Sequence, residues 1–378
     1  MNIVIVTSGH PPFDERIFYK IGLSLTKHQH KTAIVCSTEN IETESEGIKI
    51  KGFDGSSFTK KIKIKKLYEL IVLFNPSVII CCEPLTILSA HKYKKEKDGK
   101  IKIISDITEY YPLKSMLNQY VAPLRMINFL RFFIFNIYAS NLADYLFIGE
   151  ELKSRLYNII APGIKKTLIG YYPPLEYFRY SPPIYNGKKF TICYSGIISE
   201  ARGFKRFLEL IKKVSELFPY KIFIAKIVGR YEKQELEKLL LKISFVKNVV
   251  IIYKDWVNYK NFSKEFSDVD ICIDLRDKNK VFNRSLPIKI FDYMASGKPV
   301  IFSNLDSLRG FYDIKKFGLL VEPDDLNLAL ERIKNYLNNP EQLKEDSMNA
   351  RRLFEEKYNW EIIERKLIKV INSLTIEN

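Results

Sequence analysis

Asn283-Arg284-Ser285-Leu286-Pro287-Ile288-Lys289-Ile290-Phe291-Asp292-Tyr293-Met294-Ala295-Ser296-Gly297-Lys298-Pro299-Val300-Ile301 is the stretch on which the reading of this chain turns. Pro287 suits the first turn of a helix, where a missing N–H costs nothing, and Gly297 before Lys298-Pro299 stops that helix before an apolar run restarts as a strand. The spacing puts Ser285, Lys289 and Asp292 on one face of the expected helix and Ile288, Phe291 and Ala295 on another. The first face is chemical, the second belongs to a core.

A helix start offers unpaired N–H groups and a positive dipole end to an anion. Lys289 adds a full positive charge one turn further in, and Asp292 adds acceptors for vicinal hydroxyls. A diphosphate and a ribose fit such a face. An ordinary amphipathic surface helix would carry similar charges, so the stretch needs support from elsewhere in the chain.

The pattern Leu-Pro-x-Lys-x-Phe-Asp-Tyr-Met-Ala-x-Gly-Lys-Pro-Val resembles the donor-site motif of GT-B glycosyltransferases of family 4, the glycosyl transferases group 1. The resemblance implies an α/β fold of two doubly wound Rossmann-like domains facing a deep cleft. It also implies a donor site built from Asn283, Arg284, Ser285, Leu286, Lys289 and Asp292. In that family the acid at the position of Asp292 is usually Glu and grips the ribose. A further Glu eight residues earlier touches the donor sugar, and here Arg284 stands in its place.

Composition is compatible with this. A chain of 378 residues, 46% apolar, has room for two cores. No run reaches the ~18 uninterrupted apolar residues of a membrane span. Met1-Asn2-Ile3-Val4-Ile5-Val6-Thr7 reads as a buried first strand and not as a signal peptide, so a cytoplasmic location is expected, with the inner face of the cell membrane as a possible station. Cys36, Cys81, Cys82, Cys193 and Cys272 lie in apolar runs without CxxC spacing, as core thiols do. The net charge of +16 favours anionic partners.

Taken in order, the first strand leads into Ser8-Gly9-His10-Pro11-Pro12-Phe13-Asp14-Glu15-Arg16 and then a helical pattern from Tyr19 to Leu25. The loop is not GxGxxG, and Asp14 with Arg16 is open to reading as a charge pair at a helix start. The run also resembles the start of many family-4 enzymes, which brings Gly9 to the donor side and His10 and Arg16 to the acceptor side. Further strands are expected at Thr32–Cys36, Val78–Cys82, Ile101–Ser105 and Tyr145–Ile148. Strands alternating with helices give a parallel sheet whose ligands lie beyond the carboxyl ends.

Two loops qualify by that rule, Glu83-Pro84 and Asp106-Ile107-Thr108-Glu109-Tyr110-Tyr111-Pro112. The second resembles a family segment in which His approaches the donor sugar. Thr108 stands there, and a hydroxyl carries no proton chemistry near neutral pH. Asp106 and Glu109 can bind acceptor hydroxyls or simply form the turn. From 114 to 138 the chain is rich in large apolar residues interrupted by Lys114, Arg125 and Arg131. Two readings stay open for it: a wholly buried helix, or a helix lying on a bilayer surface.

Proline at 173, 174, 182 and 183 marks a linker, so the expected domains are 1–178 and 179–359, with a helix over 360–375 returning to the first. The second domain opens with a strand into a turn at Gly196, then Ser199-Glu200-Ala201-Arg202-Gly203. Gly203 permits close backbone approach and Arg202 offers a fork for phosphate. This resembles the family's diphosphate loop, although Ile197 stands where many relatives have a further Arg. Arg202 and Lys289 are the expected neutralisers of the leaving diphosphate, with Thr108 the third catalytic candidate.

Trp256 follows an expected strand at Val249–Tyr253 and can stack on a base or cap the core. Asp268-Val269-Asp270 precedes an apolar strand, the family's ordinary pattern, and no metal is expected there. No cofactor is expected beyond a nucleoside-diphosphate sugar as donor substrate. The expected partners are that nucleotide-sugar, a glycan or lipid-linked acceptor and an anionic membrane surface. Two rival readings remain: a non-catalytic subunit of the same fold, motivated by Thr108 and Arg284, and a nucleic-acid-binding protein, for which only basicity speaks.

Overall fold

The computed structural model describes residues 1–232 and 246–376 and folds the chain into two compact units. One comprises Met1–Tyr171 with the C-terminal helix from Ile362 onward; the other runs from Tyr172 to Glu361.

In the first unit β1 (Asn2–Thr7), β2 (Lys31–Cys36), β3 (Ile41–Ser45), β4 (Ile48–Gly52), β5 (Val78–Cys81), β6 (Lys102–Ile107), β7 (Tyr145–Ile148) and β8 (Lys165–Leu168) form one sheet ordered β3-β4-β2-β1-β5-β6-β7-β8. Its strands are runs of Ile and Val because both faces are covered: Val4, Val6, Ile79 and Ile103 pack against Leu67, Ile71, Ile87 and Tyr93. The helices are α1 (Leu23–Lys27), which continues a wider-wound helix over Glu15–Gly22, then α2 (Lys60–Phe74), α3 (Pro84–Glu96), α4 (Lys114–Leu117), α5 (Ala122–Asn141) and α6 (Glu151–Ile160). Pairing is parallel except in the β3–β4 hairpin. That hairpin turns on Glu46 and Gly47, both at positive φ.

In the second unit β9 (Lys189–Ser195), β10 (Ile222–Val228), β11 (Val249–Lys254), β12 (Ile271–Asp274), β13 (Val300–Ser303) and β14 (Gly318–Val321) form a wholly parallel sheet ordered β11-β10-β9-β12-β13-β14. Its helices are α7 (Phe204–Leu217), α8 (Tyr259–Phe262), α9 (Lys289–Ala295), α10 (Leu326–Asn338), α11 (Pro340–Lys357) and the start of α12 (Trp360–Ile376). The first turns of α12 are anchored by side chains. Glu361 accepts from the Leu175 N–H at 3.0 Å, while Glu364 accepts from Ser24 and pairs with Lys27 at 3.1 Å.

Each sheet has one switch point, where strand order reverses: between β1 and β5 in the first unit, between β9 and β12 in the second. The crevice beyond the carboxyl ends there is where such sheets bind ligands.

Three expectations change. The helix expected at Pro287 begins only at Lys289, so Ser285 lies outside it. The residue before a proline avoids the helical region, and 281–285 are occupied by turns of their own. The same short helix is buried all round from Ile290 to Ala295, so it has no solvent-facing chemical side. Finally, the wholly buried reading of the 114–138 stretch fails. In α5 only Phe132, Asn136, Ala139 and Ser140 are buried, and most of its large apolar side chains face solvent.

Candidate functional site

The switch point of the second unit gathers the residues read as the donor side. Three glycines let backbones close on one another there. Gly203 has φ 81°, and a Cβ on it would lie 2.1 Å from the Leu275 carbonyl oxygen. Gly229, at φ 148°, sits so close to Gly196 that a Cβ would overlap the Gly196 carbonyl oxygen. Gly196, at φ 112°, is covered by the Lys289 side chain, whose Cε would come within 2.4 Å of an added Cβ. The turn after β9 and the start of α9 therefore meet at one place. A Ser195 Oγ to Tyr293 Oη hydrogen bond of 2.8 Å ties the same two elements together below it.

The cations here rest on aromatic rings. Arg202 and Arg276 each place a guanidinium 5.4 Å from the Phe282 ring centroid, and the Lys289 ammonium lies 4.8 Å from that of Phe262. Arg276 is spent on a two-point pair with Asp274. Arg202 has no carboxylate within ion-pair reach among the described residues, and burial together with the Arg276 charge lowers its pKa. Arg276 escaped the sequence reading, although an Arg two residues after the Asp that ends a buried strand is a legible signal. The neighbouring hollow bounded by Arg206, Asp277, Lys278 and Glu322 has its cations already neutralised: Arg206 pairs with Asp277 and Asp324, Lys278 with Glu322.

Beyond β10 and β11, Trp256 is 65% exposed and lies 5.7 Å from the Arg230 guanidinium. The core-capping reading of Trp256 is thus overturned. It follows an edge strand, where the sheet offers no second neighbour to cover it.

The remaining donor-side candidates divide. Asp292 is only 4% exposed. Asn283 is engaged with Asp306, donating from Nδ2 to its carboxylate and accepting from its N–H at 2.8 Å. The Ser285 carbonyl accepts from Ser307 at 3.1 Å. Leu286 packs against the core and Arg284 is exposed. Lys298, in the same motif, is buried and donates to the Val269 carbonyl at 2.7 Å. Asp270 accepts from the N–H groups of Ile184, Tyr185 and Thr191 within 2.8 Å, and Asp268 pairs with Lys226, so structural bonds occupy the DxD acids.

The first unit's switch point holds a different constellation. Glu83, just past β5, accepts from Ser8 N–H at 2.7 Å, Gly9 N–H at 2.9 Å and Thr7 Oγ1 at 2.8 Å, fastening the loop that follows β1. His10 lies 3.7 Å from Asp14 and 3.9 Å from Glu83. Its pKa is raised to about 9, chiefly by the Asp14 carboxylate, with Glu83 and Glu109 adding and burial opposing.

Asp14 accepts from the Arg16 and Ile17 N–H groups as a helix cap. The Arg16 side chain pairs instead with Asp106, by two bonds of 2.7 Å, and also donates to the carbonyls of Ile169 and Gly170. The Asp14–Arg16 side-chain pair expected from sequence does not form, and both Arg16 and Asp106 are buried. Thr108 is half-buried, and its carbonyl accepts from Lys153 and from Tyr171 at 3.0 Å; Glu109 is exposed.

Two parallel-sheet Rossmann-like units of this kind define the GT-B class, and solved structures agree. Sucrose-phosphate synthase from Thermosynechococcus elongatus superposes with a TM-score of 0.73 at 13% identity, over 100% of this chain and 99% of that one. Anabaena HepE, solved with UDP and glucose, gives 0.67 at 10% identity over 98% and 99%. The apo lipopolysaccharide outer core galactosyltransferase WaaB gives 0.63 at 14% over 99% of each. At such identities these likenesses establish the fold alone. Residues 181–353, within the second unit, match the family model of glycosyl transferases group 1. No curated protein matches in sequence.

Proposed function

We propose that the protein is a retaining glycosyltransferase that moves a hexosyl group from a nucleoside-diphosphate sugar to a cell-surface glycan or a lipid-linked oligosaccharide. The observation that carries this reading is the Gly196 turn at the switch point of the second unit, which the Lys289 side chain covers and whose Ile197 carbonyl shares the Tyr194 hydroxyl with the carbonyl of Arg202. The bond from the anomeric carbon to the diphosphate breaks with its electron pair leaving on the diphosphate. Arg202 and Lys289 stabilise that charge. The acceptor hydroxyl attacks the same face, and its proton passes to the departing diphosphate oxygen.

Exposed Trp256, with Arg230 beside it, supplies a stacking surface for the base. Arg284, exposed at the mouth of the motif, neighbours the sugar. His10 and Glu109 belong to the acceptor side, where Arg16 and Asp106 act as the buried pair that holds the loop. With two side-chain cations neutralising the diphosphate, the reaction needs no metal, and EDTA is expected to leave its rate unchanged. The acceptor class places the work at the cytoplasmic face of a membrane.

Arg202→Ala is expected to slow diphosphate release from a donor sugar about 100-fold or more. Trp256→Ala should weaken nucleoside-diphosphate binding by about tenfold with less effect on turnover. UDP is the first probe, since it is what the Anabaena relative holds. Equal release by wild type and Arg202→Ala would refute the assignment. Binding of UDP with no release by the wild type would favour a non-catalytic subunit, a reading supported by the burial of Asp292 and the engagement of Asn283 by Asp306.

A further inference from the structure

Helix α5 is fastened at its C-terminal half, where Phe132, Asn136, Ala139 and Ser140 are buried and Asn136 bonds the Tyr157 hydroxyl at 3.1 Å. Its N-terminal half stands clear of the unit. Ile127, Leu130, Ile134 and Tyr138, spaced at three and four residues, form an exposed apolar stripe, and Met126 beside it is 76% exposed. Between Val121 and Leu130 the exposed apolar residues extend around more than one side of the helix.

The charges around this surface are of one sign. No Asp or Glu occurs from Pro112 to Ala143, whereas Arg125 and Arg131 lie on the helix itself. The start of α2 adjoins it, with the Lys60 ammonium 4.7 Å from the Phe132 ring centroid. That start reads Lys60-Lys61-Ile62-Lys63-Ile64-Lys65-Lys66 without an acid, and Lys60, Lys61 and Ile62 are exposed.

We propose that α5, with the lysine-rich start of α2 as its rim, is a docking surface for an anionic phospholipid bilayer. The apolar side chains enter the acyl boundary and the arginines and lysines meet the phosphates. Among the described residues no helix is long and apolar enough to cross a membrane, so α5 lies in the interface and does not span it. A second copy of the chain fits less well. In a twofold dimer the patch would face itself and set Arg125, Arg131 and the lysines against their own copies. A fluid acyl phase also fits apolar residues spread around a helix, where a protein face covers one side.

The inference rests on the membrane-surface acceptor reading for its purpose, and its test is independent of catalysis. The full chain is floated with vesicles of phosphatidylcholine, alone and with about 30% phosphatidylglycerol. The expected result is recovery with the anionic vesicles, reduced at least tenfold in neutral vesicles or at about 0.5 M salt. Ile127→Asp with Leu130→Asp should abolish flotation while leaving unchanged the thermal midpoint and the transfer of sugar to a soluble acceptor, read as UDP released.

Failure of the wild type to float with anionic vesicles at low salt overturns the proposal, as does equal flotation by the double variant. A dimer in sedimentation that the double variant dissolves assigns the face to a second copy and overturns it too. Flotation without transfer would leave this surface standing and remove the transferase reading; transfer without flotation would do the reverse.

Discussion

The two switch points have the same topology and opposite chemistry. In the first unit the loop after the leading strand is closed by acid: Glu83 takes four donors from Thr7, Ser8 and Gly9, and Asp14 and Glu83 flank His10. In the second unit the corresponding loop is closed by glycine backbone, and Arg202 and Lys289 lie against aromatic rings. A ring face holds a cation by its quadrupole without cancelling its charge, whereas a carboxylate cancels it. The first arrangement therefore fixes a loop, and in the second Arg202, with no carboxylate in ion-pair reach among the described residues, can meet an anion. One parallel-sheet plan thus yields an organising site and a charge-binding site, according to which side chains cover the strand ends.

The sharpest way to break this comparison is through the two loops' glycines. Gly203→Ala forces a Cβ into a left-handed residue and to 2.1 Å from a carbonyl oxygen, which the Leu275 backbone can relieve only by moving β12. The expected loss is about 3 kcal/mol or more in denaturant unfolding. Gly9→Ala meets only the flexible end of Glu83 at 3.2 Å, and should cost less than about 1 kcal/mol. Equal costs would mean that the second loop is not closed by backbone contact.

A smaller effect is expected at the acid that closes the first loop. Glu83→Gln keeps the shape but has one oxygen in place of two for four donors. Stability should fall by about 2 kcal/mol, because N–H groups of the Ser8-Gly9 turn lose a charged acceptor. An unchanged denaturation midpoint would show that the loop holds itself and that the contrast with the second unit is overstated.

How far the sequence foretold these sites follows from where the determining contacts lie. Runs such as Val78–Cys81 and Val300–Ser303 are buried on both faces, so composition alone marked them as strands, and the turns at Gly196 and Gly203 were readable because glycine is needed there. The β3–β4 hairpin went unread because Ile41–Ser45 is mostly exposed and polar; only Ile48 and Ile50 of its partner alternate inward.

Side-chain partnerships were beyond reach for a different reason. Arg16 lies two residues after Asp14 in sequence yet binds Asp106, 90 positions away, and nothing local favours one acid over the other. Burial was equally nonlocal. The 114–138 run is apolar enough for a core, but the first unit leaves the outer side of α5 uncovered, while polar Asp292 is enclosed on a helix seven residues long. Trp256 is exposed because β11 ends its sheet, a fact of strand order and not of sequence.

The finest test of the comparison is the proton on His10. Its folded pKa, about 9, lies above the ordinary 6.5, so the cationic ring contributes stability that is fully present below about pH 6.5 and is lost as pH rises through about 9. By NMR its ring should still be protonated at about pH 8. His30 and His91, whose pKa values are lowered chiefly by burial, should already be neutral there. Because the Asp14 carboxylate is the largest contribution, Asp14→Asn should bring the His10 midpoint down most of the way toward its ordinary value. Glu83 and Glu109 hold up the remainder against burial. A midpoint near 6.5 in the wild type would mean that the acids of the first loop do not hold His10 as a cation, and the chemical contrast between the two switch points would reduce to their glycines.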